Sequence, residues 1–124
     1  MKSLLKFTSV LLFTLIVGSA SAQVNLGVDD FVKKYKATPN SQLLDVRTPA
    51  EWANGKLNNS ICTDYLDESF AKKVEQLDKK KPVFVFCAVG GRSAKATKAL
   101  KDAGFTQIYN LKEAGYNQLK AKGL

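Results

Sequence analysis

Histidine is missing from all 124 residues. Its absence removes the imidazole base that Cys–His dyads and Ser–His–Asp triads need. Metal binding is equally short of ligands, because the chain offers two cysteines and no clustered carboxylates. No metal or cofactor is therefore expected. Aromatic residues do not interleave with a basic stripe, which argues against a nucleic-acid partner. Internal repeats and low-complexity stretches are lacking after residue 22. Long apolar runs are lacking too. Val10–Val17 (VLLFTLIV) falls short of the ~20 residues needed to cross a bilayer.

What is present at the N-terminus fits a different purpose. Lys2 and Lys6 precede that apolar run, and Gly18-Ser19-Ala20-Ser21-Ala22 follows it with small side chains. This is the order of an export signal, with the A-x-A pattern placing cleavage after Ala22. Residues 1–22 are thus expected to be a removed leader and residues 23–124 one domain. Gln23 is not cysteine, so no lipid anchor is expected and the processed chain should not hold to a membrane. Processing takes away two of the 19 basic residues and none of the 11 acidic ones, so the product stays basic. Its lysines are scattered (Lys33/Lys34/Lys36, Lys72/Lys73, Lys79–Lys81, Lys95/Lys98/Lys101), as on solvated helix faces and loops.

The remaining chain alternates strand and helix patterns. A short amphipathic helix runs from Val28 toward Tyr35, and Thr38–Ser41 is a turn cluster. Gln42–Val46 is a short apolar run of buried-strand type. Thr48-Pro49-Ala50-Glu51 has the form of a capping box with proline at the first helical position; Asn54-Gly55 ends that helix, and Trp52 on it should join the core. A weak strand follows at Ser60–Thr63. Residues 67–77 form a helix with Phe70, Val74 and Leu77 on one face. Val83–Phe86 is apolar throughout, as expected mid-sheet. Ser93–Ala103 is a helix that packs Ala94, Ala99 and Leu100 inward. Gln107–Leu111 is a last strand and Tyr116–Lys122 a last helix. The class is α/β, a parallel sheet with helices on both faces.

Ligands of such sheets sit beyond the C-terminal strand ends, and there the sequence reads Cys87-Ala88-Val89-Gly90-Gly91-Arg92-Ser93 between strand and helix. Main-chain N–H groups of a glycine-containing loop can curl around a sulfur. The following helix adds its positive end. Both favour thiolate over thiol without an imidazole. Arg92 offers a fork for an anionic donor molecule, and Ser93 can cap the helix and aim its hydroxyl at the site. Asp45 and Arg47 are read as supporting scaffold, with Arg47 pairing to Glu51 four residues on. Cys62 is expected to be buried rather than to bridge Cys87.

This loop resembles the active-site loop of the rhodanese family. Asp45-Val46-Arg47-Thr48-Pro49-Ala50-Glu51-Trp52 is similar to that family's D-V-R-x-x-x-E-[YFW] signature, Gly55–Ile61 to its G-H-I-P-G-A-x stretch, and Ala114-Gly115 with Leu119 to its G-G-x-x-x-W ending. Lys56, Asn58-Asn59 and Leu119 depart from those patterns. The likeness is to small exported single-domain rhodaneses of the phage-shock type. It implies a five-stranded parallel sheet and a periplasmic location, with secretion as the alternative; a monomer is expected. It also implies a sulfurtransferase: Cys87 takes sulfur from thiosulfate or a similar small anion as a persulfide, held by Ala88–Ser93. The sulfur then passes to cyanide, a thiol or a protein thiol. A persulfide carrier or thiol redox module is the alternative. A cysteine-dependent phosphatase fits less well, because four residues separate Cys87 from Arg92 where such enzymes place five.

Overall fold

The computed structural model describes residues 22–124. The leader expected at residues 1–22 lies outside them except for Ala22. Val83–Phe86 (β4) explains the architecture best. Its four side chains are all fully buried, each such burial being worth ~1.5–3 kcal/mol. Val83 and Val85 point into one core cluster, with Leu44, Val46, Phe70, Val74, Ala96, Leu100 and Phe105. Phe84 and Phe86 point into the other, with Phe31, Leu43, Leu57, Leu111, Tyr116 and Leu119. The period of two puts alternate residues on opposite faces, so one strand feeds two cores.

Around β4 the strands are Ala22–Leu26 (β1), Gln42–Asp45 (β2), Ser60–Cys62 (β3) and Gln107–Leu111 (β5). They form one parallel five-stranded sheet in the order β1-β5-β4-β2-β3, as the resemblance implies. Val28–Ala37 (α1) and Tyr116–Ala121 (α5) cover the phenylalanine face. Phe70–Val74 (α3) and Gly91–Asp102 (α4) cover the valine face. Phe84 is wedged between Phe31 and Tyr35 edge-on and Tyr109 stacked at 4.6 Å. Such pairs add about 1 kcal/mol beyond area burial.

The structure differs from the sequence-based expectations in several places. The strand β1 has no counterpart in the sequence reading, and it begins at Ala22, the residue assigned to the leader's end. Its backbone pairs with β5 from Ala22↔Gln107 to Leu26↔Leu111. The helix expected over residues 67–77 shortens to Phe70–Val74. Asp67 bonds the N–H and hydroxyl of Ser69, a local turn that competes with helix. Helix α4 turns Ser93, Ala96, Thr97 and Leu100 inward, while Ala94 is exposed. Trp52 sits half-buried on Pro49–Ala53 (α2), not in the core.

The connections β2→β3 and β4→β5 leave the β2–β4 pair in opposite directions across the sheet. That makes the C-terminal ends of β2 and β4 the switch point at which open parallel sheets bind ligands. Asp45–Thr48 leaves one of those ends and Cys87–Gly90 the other.

Candidate active site

Cys87 follows β4 directly, and the chain then turns back within three residues to start α4. Gly90 makes that turn at φ +102°, a left-handed conformation that costs glycine little. A side chain there would also press on the Glu113 main-chain nitrogen, 2.9 Å from a Cβ's position. The turn aims the Gly90 N–H at Cys87 Sγ, 3.1 Å away. The sulfur therefore lies at the positive end of a twelve-residue helix.

Two influences compete at this thiol. Burial, the larger single effect, opposes ionisation. The N–H and hydroxyl of Ser93, with the N–H groups of Gly90 and Val89, act together in the other direction and hold Cys87 below the ordinary thiol value. Donors win. Ser93 is the third residue of α4 rather than its cap, and it is fully buried. Its hydroxyl also faces the carbonyls of Gly90 (3.2 Å) and Leu111 (3.4 Å). Cys87 itself is 0% exposed, whereas Val89 at the loop's tip is 76% exposed.

The loop is braced from behind by the β5–α5 connection. Tyr116 donates its N–H to the Cys87 carbonyl at 2.9 Å. Gly115 packs so closely that a Cβ would run into the carbonyls of Ala88 and Cys87. Gly115 and Tyr116 entered the sequence reading only through an ending motif and a helix start. The signal available there was the small-residue pair Ala114-Gly115.

Asp45 and Arg47 build the second wall. Asp45 accepts the Arg47 N–H at 3.0 Å and the guanidinium at 2.8–3.1 Å. Arg47 also donates to the Gly55 carbonyl at 2.9 Å and lies 4.0 Å over the Tyr116 ring. Both residues are buried. The expected Arg47–Glu51 pair is absent, since geometry favours the nearer Asp45 and fixes Arg47 inward.

Glu51 pairs instead with Arg92, across 41 residues. Two parallel bonds join them, Nη1–Oε1 at 2.5 Å and Nη2–Oε2 at 2.9 Å. The capping box also forms: Glu51 N–H donates to Thr48 Oγ1, and Glu51 Oε1 accepts from Thr48 N–H at 3.2 Å. Hydrogen bonding from Arg92 is the chief reason the Glu51 carboxyl falls to about 2. The capping signal located Glu51 on its helix but gave no hint of this partner. The Arg92 fork, read as open to a small anion, is engaged.

Cys62 and Cys87 are both free thiols. Cys62 is half-buried and in register with Asp45, which is in register with Phe86. Two strand spacings amount to about 9.5 Å, beyond the ~7 Å between Cα atoms that a disulfide spans. Burial and the Asp45 carboxylate push the Cys62 thiol up. Among the described residues no helix is long and apolar enough to cross a membrane.

Comparison with known proteins adds relatives to this geometry. The family described as Rhodanese-like domain matches residues 28–122. A tRNA uridine(34) hydroxylase of Pelagibacter ubique is 37% identical over 79 residues, which is 63% of this chain and 26% of that protein. The chain thus spans about a quarter of that relative's length. The chloroplastic thiosulfate sulfurtransferase 16 of Arabidopsis thaliana is 33% identical over 91 residues, 65% of this chain and 75% of that one. Among solved structures, a rhodanese-related protein of Thermoplasma volcanium superposes with a TM-score of 0.65 at 29% identity, covering 81% and 93% of the two chains. The human single-domain sulfurtransferase TSTD1 gives 0.62 at 19% identity, covering 81% and 97%.

Proposed function

We propose, from the premise that this chain belongs to the rhodanese-like domain family, that it is a sulfurtransferase with Cys87 as carrier of the transferred sulfur. The observation that carries this reading is the Gly90 N–H at 3.1 Å from Cys87 Sγ, at the head of α4 and beside Ser93. A relative named as a thiosulfate sulfurtransferase supports the same chemistry.

The reaction has two displacements. Cys87 thiolate attacks the sulfane sulfur of the donor. The donor's sulfur–sulfur bond breaks and its electron pair leaves with the remainder, sulfite when the donor is thiosulfate. Cys87 is left as the persulfide anion. An acceptor nucleophile, cyanide or a thiol, then attacks the outer sulfur, and Cys87 departs as thiolate. Charge sits on sulfur at each stage, so the useful contribution of the protein is a fixed set of donors around it. The N–H groups of Val89, Gly90 and Ser93 fill that role. One such donor is worth about 3 kcal/mol in acyl-transfer enzymes. Cys87 is covered at rest, so a donor must displace the loop's rim; around Gly91 a Cβ would meet open space.

Intact mass tests this directly. Incubation with sulfane donors, thiosulfate and an aryl thiosulfonate, should add one sulfur to wild type and none to Cys87→Ser. Cyanide should remove it as thiocyanate. If neither donor loads the wild-type chain, the reading is wrong. The complete cover over Cys87 favours one second reading, a persulfide carrier: it would load in this experiment yet turn over slowly with free acceptors.

A further inference from the structure

We infer that the preferred donor is a sulfane sulfur borne on an apolar organic group rather than the inorganic thiosulfate dianion, because Glu51 cancels the loop's one cation. This deepens the sulfurtransferase reading and rests on it. Between Cys87 and Ser93 the only charged residue is Arg92. Both of its terminal nitrogens face Glu51 oxygens. Glu51 is not free to leave, since the Thr48 N–H and hydroxyl bond the same carboxylate. Asp64 adds further negative potential at Arg92. The second arginine of the site, Arg47, is 4% exposed and committed to Asp45 and Gly55. A doubly charged donor entering here sheds water without gaining an unpaired arginine.

The outer surface has the opposite preference. Val89 is 76% exposed at the loop tip and Leu66 65% exposed on the loop after β3. Both loops leave the C-terminal ends of their strands, and Leu66 donates its N–H to Asp64, a carboxylate near enough to Arg92 to favour its charge. Exposed apolar side chains at the same end of the sheet as the neutralised pair suit a donor with hydrocarbon next to its sulfur. With an organic persulfide R–S–SH, Cys87 thiolate attacks the outer sulfur, the S–S bond breaks, and R–SH departs with the proton. With an aryl thiosulfonate, the arylsulfinate departs with the electron pair.

The probes are thiosulfate and benzenethiosulfonate, which share the sulfane sulfur and differ by one charge and one ring. Each rate is divided by the rate of the same donor with a simple free thiol, to remove intrinsic reactivity. Wild type should favour the thiosulfonate about tenfold in kcat/KM. Glu51→Gln preserves the capping box, because glutamine serves at that position too, and unmasks Arg92. It should raise kcat/KM for thiosulfate about tenfold and narrow the preference, one unpaired cation at a site being able to change association by that order. Val89→Lys, on an exposed position that does not threaten the fold, should narrow it likewise. A wild-type preference for thiosulfate, or a ratio unmoved by both substitutions, overturns the inference while leaving sulfur transfer intact. Failure of both donors to load Cys87 overturns both.

Discussion

At Cys87 a few hydrogen-bond donors outweigh full burial, and the balance should be measurable one side chain at a time. Alkylation by iodoacetamide follows the thiolate, so its rate should level off at lower pH than that of a simple thiol, even though cover slows it overall. Ser93 supplies the largest of the lowering contributions. In Ser93→Ala the hydroxyl goes and the N–H stays, so the inflection should move upward in pH without vanishing. An unmoved inflection would mean that the hydroxyl serves only the Gly90 and Leu111 carbonyls. At this scale the sequence was legible in type and illegible in pairing. A cysteine between a strand and a helix was enough to place the thiol. Which carboxylate meets which arginine was not readable, because the i,i+4 spacing of Arg47 and Glu51 looked sufficient. The short reach from Arg47 to Asp45 and the long-range return of α4 decided otherwise.

Among the elements, the β5–α5 connection has the most direct hold on the loop. Gly115 has extended backbone, with φ −165°, so its need for glycine is one of space rather than conformation. A methyl there must push the Cys87–Ala88 carbonyls aside. Gly115→Ala should cost about 3 kcal/mol in urea denaturation, the range of overpacked cores. It should also slow persulfide formation beyond what the remaining folded fraction explains. Elements with strong patterns were legible: β4 by its unbroken apolar run, α2 by its capping box, α5 by its start at Tyr116. The strand β1 was not. Ala22–Leu26 alternates apolar and polar residues over only five positions, is exposed over most of its length, and takes its structure from backbone pairing with β5. The helix α3 was over-read at both ends: the Asp67 turn takes the residues before Phe70, and the apolar spacing continues to Leu77 although the helix stops at Val74.

For the molecule as a whole, Glu51 and Arg92 join α2 to α4 across the mouth of the site. The Glu51 carboxyl is lowered from 4.5 to about 2, chiefly by the Arg92 hydrogen bond. A depressed carboxylate contributes its full stability above the unfolded value and loses it as pH falls toward the folded one. Thermal midpoints of wild type should therefore drop between pH of about 4.5 and about 2 more steeply than those of Glu51→Gln, which has no charge to lose there. Parallel profiles would show that the pair contributes nothing net, as exposed ion pairs often do. The class of fold was legible from the strand–helix alternation, and the position of the site from its relation to strand ends. Strand order was not, since it depends on crossovers that no local pattern encodes.

The hold of Tyr116 on the Cys87 carbonyl has a consequence in time. During synthesis the thiol emerges from the ribosome 29 residues before the amide that fixes it. A nascent chain halted in that interval has its nucleophile but neither β5's neighbouring turn nor its brace. Reactivity toward sulfur should switch on late, when the sheet has already closed around it.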